Sequence, residues 1–290
     1  MIKINGKIFD VNHFPDNTQM IKCAPPNNDN KTTDYTITWF YENDSELITL
    51  YYIVKHLREK KWIKSIYLLM PYVPNARMDR VKSHNEVFTL KYFCDFINSL
   101  NFNGVYVFDT HSYVTDALLN NICCMSINET LYKVISECKP DIVYFPDNGA
   151  MKRYSHIFDN NDFKIIYGNK VREWGTGQIK SLDIMNQEGY KCTTNDIQGK
   201  TILMVDDIIS YGGTMYYSAK KLNDLGANKI NIYTSHLENS FFDEEKGSLN
   251  KIVKSGMNIK YIINTIYTTN SIYNEKYNLK NFNIKLSQTF

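Results

Sequence analysis

The densest chemistry in this chain lies in residues 202–214, ILMVDDIISYGGT, where a buried-looking strand runs into two acids, a small-residue loop and a helix beginning near Thr214. A loop of this kind turns backbone N–H groups outward at a helix N-terminus, where they suit a phosphate. Gly212 and Gly213 let the backbone approach a ligand closely. Asp206 and Asp207, at the strand end, are placed to accept hydrogen bonds from sugar hydroxyls, and Ser210 and Thr214 carry hydroxyls that can donate to a phosphate. A plain strand–turn–helix with solvated acids explains any one of these features but not their combination in a single turn.

Four other segments carry functional side chains. In residues 71–80, PYVPNARMDR, Pro71 and Pro74 stiffen a loop in which Asp79 stands between Arg77 and Arg80. Residues 109–112 read DTHS, with His111 following a strand pattern. Residues 145–153, FPDNGAMKR, place Asp147 at the end of a buried strand and before Asn148-Gly149, a turn signal. In residues 170–172, KVR, Lys170 and Arg172 stand where a strand ends, and Gly175 and Gly177 follow in a loop able to move. Taken alone these two cations are charges that a loop leaves in water. A loop that closed them over a phosphate chain would exclude water as well.

Residues 202–214 resemble the phosphoribosyl-binding loop of the type I phosphoribosyltransferase fold. The other segments, taken together, are similar to those of ribose-phosphate pyrophosphokinases: PYVPNARMDR to PYxxxARQDR, DTHS to D-x-H-S, FPDNGAMKR to SPDAGGAKR, and KVR to the catalytic K-x-R. Near the N-terminus, residues 14–18, FPDNT, resemble F-x-D-G-E, a segment that reaches the ATP of a neighbouring subunit. The resemblance runs from about Phe14 to His236. It implies transfer of the diphosphate of ATP to the anomeric hydroxyl of ribose 5-phosphate, with magnesium as cofactor and a homo-oligomeric assembly.

In those terms Lys170 and Arg172 are the catalytic residues. Phe14, Asp16, Arg77, Asp79, Arg80 and His111 bind ATP, and Asp206, Asp207, Ser210, Gly212, Gly213 and Thr214 bind ribose 5-phosphate. His111 and Asp147 serve the metal. Few protein ligands are expected for magnesium, which keeps water and substrate phosphates around it. The pattern departs at Asn17, Thr18, Met78, Ser210 and Tyr211, where the family commonly has Gly, Glu, Gln, an acid and Thr. Two rival readings share the same fold: a base phosphoribosyltransferase, which leaves PYVPNARMDR, DTHS and K-x-R unexplained, and an inactive regulatory relative.

These side chains need elements to hold them. Short apolar runs rich in β-branched and aromatic residues predict strands at 66–70, 105–108, 142–145, 202–205 and 230–233. Apolar residues at helical spacing predict helices over 45–58, 87–100 and 214–225, the last ending at Gly226. Buried strands separated by helices imply α/β architecture: two phosphoribosyltransferase-type domains, each a mostly parallel sheet flanked by helices. The boundary is expected where Lys139-Pro140 interrupts a helix, giving domains 1–138 and 139–272 and a tail 273–290 that can pack back on the first domain. Residues 25–31, PPNNDNK, read as an exposed loop.

Composition sets the outer limits. The 290 residues, 43% hydrophobic and 22% charged, suit a chain of two domains with real cores. A net charge of +2, from 33 basic and 31 acidic residues, does not fit a dedicated nucleic-acid binder. No run approaches the roughly 18 apolar residues that span a bilayer, and the first residues lack a signal peptide's apolar core. No membrane partner is expected. Six cysteines without a CxxC pair suggest buried thiols in a reducing cytoplasm.

Overall fold

The computed structural model describes residues 1–23, 33–159, 163–172, 179–247, 262–274, 276 and 282–289. The chain divides into two units, Met1–Ser126 and Ile127–Thr289. The expected loop at 25–31 lies outside the described residues, as do Gly175 and Gly177.

The first unit contains β1 (Ile2–Ile4), β2 (Lys7–Ile8), β3 (Asn12–His13), β4 (Gln19–Met20), β5 (Thr33–Trp39), α1 (Ser45–Arg58), β6 (Ile63–Met70), α2 (Thr89–Ser99), β7 (Gly104–Phe108), α3 (Tyr113–Leu118) and β8 (Ile122–Met125). Six strands form one sheet in the order β2-β1-β5-β6-β7-β8, with β5 to β8 parallel and β1 antiparallel to its neighbours. Strand β5 alternates cleanly, burying Tyr35, Ile37 and Trp39. Helix α1 has the bounds its spacing predicts. It buries Leu50, Ile53, Val54 and Leu57 on one face, with Glu46 in its first turn and Lys55 and Arg58 in its last, complementing the helix dipole. Helix α2 packs Leu90, Phe93, Cys94 and Ile97 into the same core. Each such side chain contributes about 1.5–3 kcal/mol by leaving water.

The second unit contains α4 (Asn128–Cys138), β9 (Ile142–Phe145), α5 (Asn148–Tyr154), β10 (Lys164–Arg172), β11 (Ile179–Asn186), α6 (Thr194–Ile197), β12 (Thr201–Ile209), α7 (Gly213–Asp224), β13 (Lys229–Leu237), β14 (Thr265–Thr269) and β15 (Ile284–Ser287). Its seven-stranded sheet runs β11-β10-β9-β12-β13-β14-β15, parallel throughout except for β11. Every residue of β9 and β14 is buried, as strands covered on both faces must be. Tyr144 on β9 donates from its hydroxyl to Ser218 Oγ of α7 at 2.8 Å, tying the helix to the sheet.

Three expectations change. The division falls before α4 rather than after it, because Leu131 and Val134 of that helix are buried and it packs on β12 and β13. The described part of the tail joins the second unit: β15 pairs in parallel with β14, and Phe282 stacks near Phe241 and Phe242 in the second core. The cysteines are all free, but Cys94 and Cys192 alone are buried; Cys123 and Cys124 lie exposed on the edge strand β8. Among the described residues no helix is long and apolar enough to cross a membrane.

Candidate functional site

Strand β12 runs four residues beyond the expected end, to Ile209, because β13 stays in register with it as far as Leu237. Asp206 and Asp207 therefore sit within the strand. Gly212 follows at φ 78°, a left-handed conformation that a side chain disfavours, and caps α7. Gly213 opens the helix and Thr214 stands in its first turn, so their N–H groups are among those without an intrahelical partner. Backbone N–H groups that could receive an anion thus lie at the end of a central parallel strand, where parallel sheets commonly place their ligands.

Asp207 is buried, and Arg153 Nη1 of α5 donates to its Oδ2 at 3.5 Å. Its own N–H donates to Asp206 Oδ1 at 3.1 Å. Burial, followed by the charges of Asp207 and Asp147, pushes the Asp206 carboxyl well above the usual carboxylate range. Asp147 caps α5, accepting from the Ala150 N–H at 3.0 Å, and its side chain is 54% exposed. Lys170 Nζ lies 3.3 Å from Asp147 Oδ2, and the lysine side chain is only 7% exposed. Gly168, earlier on β10, allows this strand to pass the β9 end: a Cβ there would meet the Pro146 carbonyl at 2.6 Å. The backbone of Arg172 ends β10 beside Ile179 of β11.

Ser210 is tied to the turn that follows β13. Its Oγ lies 3.1 Å from Ser240 Oγ, and Ser240 donates in turn to Glu238 Oε2 at 3.1 Å. Tyr211, whose role the motif leaves open, is exposed.

In the first unit, the loop after β6 is anchored by buried Tyr72, Val73 and Ala76 and turned by Asn75 at φ 62°. The Met78 N–H closes this turn on the Asn75 carbonyl at 2.9 Å. Asp79 gathers the segments together. Arg80 grips both of its oxygens, from Nε at 2.8 Å and Nη2 at 3.1 Å, and Ser112 Oγ donates to Oδ2 at 2.7 Å. Arg80, Ser112 and His111 all favour the Asp79 anion and outweigh its partial burial, holding it below the usual carboxylate range. Asp109, leaving β7, is buried at φ 47°, a conformation Asp tolerates better than most residues. Arg77 and Arg80 are both exposed.

Phe14 and Asp16 lie in the hairpin of β3 and β4. Asp16 Oδ1 accepts from the Thr18 N–H at 3.0 Å and from Thr18 Oγ1 at 2.7 Å, which lowers its pKa, while Phe14 stays 49% exposed. Thr18 thus stabilises the turn through Asp16.

Of the two candidate metal residues, His111 belongs to the first unit and Asp147 to the second. Among the described residues no three His, Cys, Asp or Glu side chains converge to hold an ion. The exposed carboxylate of Asp147 nevertheless fits magnesium's habit of taking one or two carboxylates and filling its shell with water and phosphate oxygens. Sequence reasoning missed Arg153, Ser240 and Glu238. Arg153 lay within a recognised segment. Ser240 and Glu238 carried one signal, their position just after the strand neighbouring β12.

Residues 115–265 match the phosphoribosyl transferase domain family. A ribose-phosphate pyrophosphokinase of Thermococcus kodakarensis is 28% identical over 233 residues, spanning 78% of this chain and 76% of its own. One from Pyrococcus abyssi is 24% identical over 286 residues, spanning 96% and 90%. The crystal structure of phosphoribosylpyrophosphate synthetase from Mycobacterium smegmatis superposes with a TM-score of 0.71 at 15% identity, covering 97% of this chain and 86% of that one, a likeness of fold. These relatives carry the family name that the sequence motifs resemble.

Proposed function

This chain belongs to the phosphoribosyl transferase domain family, and on that premise we propose that it transfers the diphosphate of ATP to the anomeric hydroxyl of ribose 5-phosphate, giving phosphoribosyl pyrophosphate and AMP. The observation that carries this reading is the near-buried Lys170, held on Asp147 in the unit that also contains the acidic pair and the glycine loop. A cation kept dry near a phosphate cradle acts far more strongly than one in water.

Ribose 5-phosphate would place its phosphate on the N–H groups at the start of α7 and its hydroxyls on Asp206 and Asp207. Donation from those hydroxyls would relieve the crowding of negative charge that raises Asp206. Lys170 would leave Asp147 for the diphosphate oxygens, whose charge grows as the bond to the leaving AMP lengthens. Arg172, two residues on, would add a second cation. Arg77 and Arg80 would hold ATP phosphates, with Asp79 fixing the fork of Arg80 and the orientation of Ser112. Magnesium, which Asp147 would help to hold, supplies neutralisation of the triphosphate when bound. A second copy of the chain is the proposed partner, met by the hairpin that carries Phe14 and Asp16.

Incubation with ATP, ribose 5-phosphate and magnesium should release AMP and phosphoribosyl pyrophosphate in equal amounts. Pyrophosphate release from phosphoribosyl pyrophosphate and a free base, without AMP formation in the first assay, would favour a base phosphoribosyltransferase. Inactivity in both would favour the regulatory relative.

A further inference from the structure

We propose that Glu238 and Ser240 are positioning residues that set the polarity of the Ser210 hydroxyl, making it an acceptor for a sugar hydroxyl rather than a donor to phosphate. The inference rests on the reading of residues 206–214 as the ribose 5-phosphate cradle. A carboxylate only accepts hydrogen bonds, so the 3.1 Å contact between Ser240 Oγ and Glu238 Oε2 runs one way. Ser240 has a single proton, and Glu238 takes it. Its 3.1 Å contact with Ser210 Oγ must then be a bond that Ser210 donates. Ser210 in turn has one proton, and Ser240 takes it. What remains for a ligand is a pair of oxygen lone pairs.

Those lone pairs attract a hydroxyl and repel a phosphate oxygen. The loop is therefore polarised along its length. Ser210, with Asp206 and Asp207, accepts from the hydroxyl end of the substrate, while the N–H groups from Gly212 onward donate to its phosphate end. A family acid at position 210 would present lone pairs directly; here Ser210 presents them because Glu238, two bonds away, fixes the direction of the chain.

The device stands on rigid elements. The Glu238 N–H donates to the Ile209 carbonyl at 2.8 Å, tying the ends of β12 and β13 together. Ser240 lies on a 3-10 turn, Asn239–Phe242, whose Phe241 and Phe242 are buried, with Phe282 and Tyr273 packed beside them. A hydroxyl held this way has no cheap alternative rotamer while Glu238 accepts.

Titration calorimetry on the full chain, with inorganic phosphate and with ribose 5-phosphate as separate probes, tests the assignment. Ser240→Ala frees the Ser210 proton, so phosphate should bind about tenfold tighter, the size of one hydrogen bond to a charged group, and ribose 5-phosphate should lose about as much of its advantage over phosphate. Glu238→Gln keeps the shape but lets the chain run in reverse, and should move both ligands in the same directions by less. Ser210→Ala should weaken ribose 5-phosphate and leave phosphate unchanged. A merely structural role would weaken both ligands together, and that result overturns the assignment. So does a Ser210→Ala protein that loses phosphate and ribose 5-phosphate equally. A parent that binds no ribose 5-phosphate overturns the cradle reading itself, and the inference with it; a parent that binds it normally, alongside variants without the opposed shifts, overturns the inference alone.

Discussion

Asp79 in the first unit and Asp206 in the second are both candidate substrate residues, yet their surroundings act on them in opposite senses. Asp79 is surrounded by groups that favour its anion: the fork of Arg80, the hydroxyl of Ser112 and the charge of His111. Asp206 is surrounded by groups that oppose it, namely burial, Asp207 and Asp147, while the neighbouring cations Arg153 and Lys170 engage those other two acids. The first carboxylate is satisfied by its own unit and serves to orient what surrounds it. The second gains most when hydroxyl donors arrive from outside. Of these two acids, Asp206 is the one whose charge the fold leaves uncompensated.

The comparison breaks most visibly at Lys170. Lys170→Ala should lower turnover by about 100- to 1,000-fold while half-saturation for both substrates changes only a few-fold, because its cation matters most as charge develops. Steady-state AMP release at saturating substrates reads this directly, and Lys170→Arg should rescue poorly, since a planar fork does not replace a compact ammonium. Full activity in Lys170→Ala would remove the catalytic role given to the end of β10.

Asp206 and Asp79 sharpen the comparison through binding and pH. Asp206→Ala should weaken ribose 5-phosphate by roughly 1.5–3 kcal/mol, the value of hydrogen bonds to a charged acceptor, with ATP hardly affected. The raised carboxyl of Asp206 keeps its proton when the unfolded chain has lost it, so its contribution falls as pH rises from about 4 through the raised value. Asp79 has the opposite sign: its contribution is present above the ordinary carboxylate value and lost as pH falls through the lowered one. Denaturant unfolding across acid to neutral pH should show the higher-pH loss vanish in Asp206→Ala and the acid-side loss shrink in Asp79→Asn. Equal pH profiles for both variants and the parent would erase the distinction.

The smallest effect is expected at Arg77, which is exposed. Arg77→Ala should raise the ATP concentration for half-maximal rate several-fold with an unchanged melting temperature, since surface changes shift stability by only about 0.5 kcal/mol. If ATP saturation is also unchanged, the 71–80 loop does not hold nucleotide through this residue.

The amino-acid sequence by itself determined the local pieces. The bounds of α1 and β9 and the turn at Gly212 follow from side-chain spacing and glycine's backbone freedom, which act within a few residues, whereas Asn148-Gly149, read as a turn, opens the helix α5 that Asp147 caps. Tertiary structure decided whatever depends on a distant partner. Strand β12 extends through both acids because β13 runs beside it; the hairpin of β10 and β11, and the joining of β15 to the second sheet, are likewise pairings that no short window announces. The same holds at the site. Lys170 meets Asp147 across 23 positions, Arg153 meets Asp207 across 54, and Ser210 meets Ser240 across 30. A motif specifies which groups a loop presents, but the charge, proton direction and burial of those groups are set by neighbours that only the folded sheet brings within about 3 Å, where hydrogen bonds and low dielectric make them count.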